Sequence, residues 1–90
     1  MQQFIDDESG YLIWLSRHPN GYVVNAERVP RPNYLILHRA TCGTISGMPA
    51  RGRFWSCDYS KTCNTSLEEL AMWARQGVGG EATACGQCHP

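Results

Sequence analysis

The chain has 90 residues, 42% of them hydrophobic and 18% charged, and its eight lysines and arginines balance eight aspartates and glutamates. This length and composition predict a single globular domain over residues 1–90, and the zero net charge excludes a uniformly basic nucleic-acid coat protein. The longest apolar run, residues 11–15, is too short to cross a bilayer and follows no signal peptide, so we expect a cytoplasmic protein with no membrane partner.

The first half of the chain is expected to contain one helix and two strands. Apolar and aromatic residues at helical spacing predict a helix over residues 10–17, ended by a proline–asparagine–glycine stretch. A β-branched run at residues 22–25 and an apolar run at residues 34–38 predict strands. The glycines that follow predict a long loop over residues 43–52.

The second half is expected to add a third strand and a second helix. Residues 53–57 and 59–63 predict either one strand or a hairpin around residues 58–60. Ser66 and Glu69 match a capping box, and the apolar residues after them recur at helical spacing. Several glycines then end the helical pattern.

Five cysteines form an odd and dense set without an export signal, which favours a metal site over disulfides. Two half-sites stand out, His38-x3-Cys42 and Cys85-x2-Cys88, and Gly86 suits the tight turn between the second pair. Tetrahedral Zn²⁺ takes four such ligands in a closed structural site. The sequence therefore predicts Zn²⁺ bound by His38, Cys42, Cys85 and Cys88.

The Cys85-x2-Cys88 turn resembles a zinc knuckle, and its pairing with a second half-site resembles zinc-ribbon and treble-clef modules. The expected fold is α+β: a small two- to three-stranded antiparallel sheet with two helices and a C-terminal zinc knuckle. His89 or Cys63 is an alternative fourth ligand. Cys57 and Cys63 are otherwise expected to be small buried thiols.

Charge is unevenly distributed, since residues 27–61 hold six basic residues against two acidic ones. Arginine forms bidentate bonds with phosphate and guanine, and the interleaved aromatic residues suit stacking on bases. This pattern predicts DNA or RNA as a partner. The expected nucleic-acid-binding residues are Arg28, Arg31, Arg39, Arg51, Arg53, Trp55, Tyr59 and Lys61.

The leading hypothesis is a non-catalytic zinc-binding module that binds nucleic acid through its basic middle segment. The alternative is a protein–protein adaptor or inhibitor domain that docks through an apolar patch around Trp14, Trp55 or Trp73. A zinc-dependent hydrolase or nuclease is the third hypothesis. The chain has neither the His-x-Glu of zinc deaminases nor the H-E-x-x-H of metalloproteases, so we expect no catalysis.

Overall fold

The computed structural model describes residues 1–46 and 54–90. Its strands form one five-stranded mixed sheet in the spatial order β1-β4-β2-β3-β5. Neighbouring strands are antiparallel except for β3 and β5, which are parallel. In chain order the elements are β1 (Gln2–Phe4), α1 (Glu8–Arg17), β2 (Tyr22–Glu27), β3 (Leu35–Arg39), β4 (Tyr59–Asn64), α2 (Leu67–Met72), a π-helical segment (Trp73–Val78) that continues α2, and β5 (Thr83–Ala84).

The α+β class with two helices is confirmed, but the predicted sheet of two to three antiparallel strands is wrong. The two edge strands account for the difference. β1 has three residues and β5 has two, and neither carries an apolar run or a clear alternation. Strands this short take their conformation from the neighbour with which they pair, so their own sequence contains no pattern that predicts a strand.

The central strand β2 shows how the sheet separates two apolar clusters. Val23 and Val24 are both fully buried, and because successive side chains alternate they face opposite sides of the sheet. Val23 packs in a cluster with Tyr11 and Trp14 of α1. Val24 packs with Leu70 of α2 on the other side. The sheet therefore lies between the two helices.

The segment before β4 corrects the hairpin prediction. Residues 55–58 form bends rather than a strand, and β4 alone pairs with both β1 and β2. Arg53 and residues 47–52 of the predicted long loop lie outside the described residues. A single strand suffices here because the N-terminal strand, rather than residues 54–57, supplies the second neighbour of β4.

The second helix begins as its sequence predicts, with one change in the capping arrangement. The Glu69 amide donates to the Ser66 hydroxyl at 3.2 Å, as in a capping box. The Ser66 amide, however, donates to Asn64 Oδ1 at 2.8 Å, and Asn64 Nδ2 donates to the Glu69 carboxylate at 2.6 Å. Asn64 thus bridges the two capping residues.

In the described part of the chain, no helix has the length and apolar character needed to cross a bilayer.

Candidate metal centre

Four sulfur and imidazole donors converge at one edge of the sheet. The ligand atoms of His38, Cys42, Cys85 and Cys88 all lie within 4.8 Å of one another, so this group could hold a metal ion. Three of the four residues are buried, and Cys88 is half-buried. The structure thus brings together the two half-sites that the spacing of the sequence indicates.

The parallel pairing of β3 and β5 explains why the half-sites meet. Leu37 pairs with Ala84, so the next residue of each segment, His38 and Cys85, lies at the same edge. The Cys85 amide extends the pairing by donating to the Leu37 carbonyl at 2.8 Å. Cys42 returns to this edge through a turn in which its amide donates to the Arg39 carbonyl at 3.0 Å.

Backbone amides point at two of the sulfur atoms. The Gln87 amide donates to Cys85 Sγ at 3.3 Å, and the Arg39 amide donates to Cys88 Sγ at 3.2 Å. Burial acts to raise the pKa of the Cys85 thiol, but hydrogen bonds from the amides of Cys88 and Gln87 and with the Cys42 and Cys88 side chains together outweigh it, so this pKa is lowered. Such N–H donors favour the thiolate, which is the metal-binding form of cysteine.

The pKa of the Cys88 thiol shifts in the opposite direction to that of Cys85, because burial and the neighbouring cysteines oppose its ionisation. Burial raises the pKa of Cys88, the Arg39 amide opposes this rise, and the neighbouring Cys42 and Cys85 thiols add to it. Three thiolates this close repel one another unless a cation lies among them. A bound divalent ion removes that conflict, so the donor set has the chemistry of a metal site.

The environment of His38 keeps its imidazole uncharged. The side chain is 5% exposed, and burial together with the positive charge of Lys61 lowers its pKa to about 4. The imidazole is therefore uncharged at neutral pH, which is the form that binds metals. Thr44 Oγ1 lies 3.3 Å from His38 Nδ1 and 3.0 Å from Cys42 Sγ, so its hydroxyl links two of the four candidate ligands.

Within the described part of the chain, Cys57, Cys63 and His89 lie outside this group of metal-ligand residues. Cys63 is fully buried in β4, and burial raises its pKa to about 12, so it remains a neutral thiol in the core. Cys57 is exposed, which contradicts the expected burial. It precedes β4, and its carbonyl accepts a 2.7 Å bond from Arg28.

The predicted nucleic-acid-binding residues separate to two ends of the sheet. Arg28 and Arg31 follow β2 at the end where Glu27 pairs with Tyr59. Arg39 lies at the opposite end of β3, beside the metal centre, where it pairs with Tyr22. The described residues therefore hold no single basic surface made of all three arginines. Arg51 and Arg53 lie outside the described residues.

Lys61 does not belong to a surface, so its assignment as a nucleic-acid contact is corrected. The residue is 2% exposed, and its Nζ donates to the Trp55 carbonyl at 2.5 Å. It lies on the same face of β4 as buried Cys63, two residues away. Burial lowers its pKa to about 8, against the opposing negative charge of Glu8.

The tryptophans do not form one exposed patch. Trp14 is buried and its ring stacks on His18 at a centroid distance of 4.6 Å, while Trp55 and Trp73 are half-buried. The amide of Trp55 donates to the Glu8 carboxylate. The exposed apolar side chains are instead spread over the molecule: the helices carry Leu12, Ile13, Leu67 and Met72, and others, such as Val29 and Phe54, lie between elements.

Sequence reasoning missed Thr44 and the contact of Arg39 with the second half-site. Thr44 lies two residues after Cys42, and the Arg39 amide, inside the first half-site, donates to Cys88 of the second, which no local spacing indicates. No family model, curated protein or solved structure matches the chain. Among residues 1–46 and 54–90, the cluster of three cysteines and one histidine is a group that could hold a metal ion.

Proposed function

We propose that the chain is a non-catalytic module in which a structural Zn²⁺ ion joins the C-terminal segment to the sheet. The observation that carries this proposal is the convergence of four donor atoms, from His38, Cys42, Cys85 and Cys88, within 4.8 Å. Thiolate and imidazole donors in this combination suit Zn²⁺ and other transition metals rather than the hard ions Mg²⁺ and Ca²⁺, which prefer oxygen, and three Cys with one His is a common structural Zn²⁺ set.

The number of protein ligands supports a structural role. Tetrahedral zinc with four protein donors has no position left for water, whereas a catalytic zinc keeps one position open. The three buried ligands and the half-buried Cys88 also restrict access of a substrate to the ion. A hydrolase or nuclease would need a ligand to leave before chemistry could begin.

The ion has a clear structural task. β5 contains two residues, which pair with β3 through Ile36 with Thr83 and Leu37 with Ala84, and the Cys85 amide adds one bond to the Leu37 carbonyl. Both residues of β5 are exposed, so they bury little apolar surface. Because backbone pairing of this length is marginal in water, metal coordination is the interaction that fixes the segment.

Metal analysis tests the proposal directly. The purified chain is expected to hold one Zn²⁺ per molecule, and replacement by Co²⁺ is expected to give the intense thiolate charge-transfer absorption of a tetrahedral site. The Cys57→Ser variant is the matched control, because this exposed cysteine lies outside the cluster and its loss leaves stoichiometry and spectrum unchanged. A chain that purifies and refolds without metal contradicts the proposal.

We further propose that the module binds single-stranded nucleic acid at the end of the sheet away from the metal centre. Tyr34 and Tyr59 are 37% and 44% exposed, and their rings lie 5.8 Å apart at an angle of 37°. Exposed aromatic rings provide platforms on which bases stack. Arg28 and Arg31 border a neighbouring groove of about 430 Å³ that also contains Tyr59.

Charge at this surface limits the electrostatic share of binding. Glu27 and Asp58 line the same groove, and Arg28 forms an ion pair with Asp6. Arg31 is thus the cation that we expect to reach a phosphate. A single phosphate contact on a single strand gives a slope of about −0.7 in a plot of log affinity against log salt. Base stacking supplies the rest of the affinity.

Oligonucleotide binding, followed by fluorescence anisotropy at several salt concentrations, tests this surface. The Tyr34→Ala variant is expected to bind labelled single-stranded DNA or RNA more weakly by about 1–3 kcal/mol, the contribution of one stacked base. Met72→Ala removes an exposed apolar side chain from α2 and is the matched control. Absence of binding at low salt, or equal loss in both variants, contradicts the proposed surface.

A further inference from the structure

We infer that Arg39 is a positioning residue of the metal centre, whose guanidinium holds the Cys85-x2-Cys88 turn in its ligating conformation and slows release of the ion. This inference rests on the proposed zinc site. It assigns a different role to an arginine that the sequence placed among the nucleic-acid contacts. The residue directly follows the ligand His38 and ends β3, so the same strand supplies both a ligand and its support.

Arg39 binds the C-terminal turn with three donors. Its backbone amide donates to Cys88 Sγ at 3.2 Å. Its Nε donates to the Cys88 carbonyl at 3.1 Å, and its Nη2 donates to the His89 carbonyl at 3.0 Å. One residue thus contacts the sulfur of a ligand and the two carbonyls that follow that sulfur in the chain. The side chain fixes the backbone from which Cys88 projects.

The turn needs such support because little else holds it. β5 ends at Ala84, before the turn, and His89 has a φ of 48°, in the left-handed region that residues other than glycine seldom adopt. Two hydrogen bonds reach this residue: its own amide donates to the Cys85 carbonyl at 3.2 Å, and its carbonyl accepts from Arg39. Loss of the arginine side chain leaves the first bond and removes the second.

Charge favours the same arrangement. Three thiolates and a neutral imidazole around Zn²⁺ leave one net negative charge, and a guanidinium beside the Cys88 carbonyl offsets it. Among the described residues Arg39 takes part in no ion pair, so its charge is not neutralised by a carboxylate. Its planar group presents Nε and Nη2 in a fixed geometry, which a lysine ammonium cannot reproduce.

The rate of metal release tests the inference. Zinc-loaded full-length chain is mixed with excess chromophoric chelator at fixed pH, and the rate of Zn²⁺ transfer is measured for wild type, Arg39→Met, Arg39→Lys and Arg31→Met. We expect both Arg39 variants to release zinc about ten times faster or more, because loss of groups that orient metal ligands costs roughly 10–100-fold in metal affinity and the weaker site releases its ion sooner. Arg31→Met removes an exposed arginine from the other end of the sheet and is expected to release zinc at the wild-type rate.

The Co²⁺ spectrum separates positioning from a general loss of structure. All four proteins keep the thiolate absorption of the full ligand set if Arg39 acts only on the turn, because no ligand is changed. Wild-type release from Arg39→Met overturns the inference, and wild-type release from Arg39→Lys overturns the role of the planar geometry. If Arg39→Met does not fold, the Lys variant decides the result. A wild-type chain that binds no zinc refutes the zinc site itself, which is a distinct outcome.

Discussion

Removal of zinc with a chelator is expected to lower the midpoint of thermal unfolding by at least about 15 °C, because the ion contributes several kcal/mol and each 1 kcal/mol shifts a domain of this size by about 4–8 °C. The measurement is circular dichroism of the zinc-loaded chain, of the chelated chain and of the chelated chain after Zn²⁺ is restored. The loaded midpoint is expected to return with Zn²⁺.

The size of this effect follows from the place of the cluster in the fold. Cys42 and Cys85 belong to the same apolar cluster as Tyr11 and Trp14, so loss of the ion leaves thiolates without a counter-charge in the core on the α1 side. The ligands also join segments that are far apart in sequence, which restricts the unfolded chain as a disulfide does. Mg²⁺ is the control ion, since its preference for oxygen ligands predicts no recovery. Equal midpoints with and without chelator contradict a structural zinc.

The ligand pairs could be predicted because each pair is local. Three residues lie between His38 and Cys42, and two lie between Cys85 and Cys88. Either spacing lets one turn direct both donors to one ion. Their convergence required only that the two turns meet. Spacing alone did not exclude His89, which lies four residues after Cys85. The helix caps and the apolar run of β3 are local in the same sense.

The misplaced features depend on pairing across the sheet. β1 and β5 exist because β4 and β3 offer free edges, which residues 2–4 and 83–84 do not reveal by themselves. The sequence alone predicts that Lys61 is a surface cation. Its burial follows only from the pairing of β4, which turns Lys61 and Cys63 toward α1. The basic residues are close in sequence and so suggest one patch, but Arg31 and Arg39 lie at opposite ends of β3, which pairs antiparallel with β2.

Substitution of single cysteines is expected to divide them into three classes. In Cys85→Ser, one thiolate ligand of a buried site is replaced by a hydroxyl, which binds zinc poorly. We expect loss of tight zinc binding and unfolding of most of the chain at 37 °C, as in small domains that fold only with their metal. Zinc content after dialysis and the near-ultraviolet circular dichroism report the two effects separately.

Cys63→Ala distinguishes a packing defect from a ligand defect. Cys63 is fully buried in the α1-side cluster but does not belong to the metal-ligand group. Loss of its sulfur leaves a small cavity that costs about 1 kcal/mol of unfolding free energy, while zinc remains bound at one per chain. Lower stability together with lost zinc in this variant contradicts the ligand assignment.

Cys57→Ser completes the series as the surface control. Its side chain is exposed and outside the cluster, so both stability and zinc content are expected to stay within error of the wild type. Only the four-donor arrangement predicts this ordering, in which one cysteine controls metal and fold, one controls stability alone and one controls neither. Equal damage from all three substitutions would instead mean that the cysteines act through the core or through disulfides, and that β5 is held to β3 without a metal.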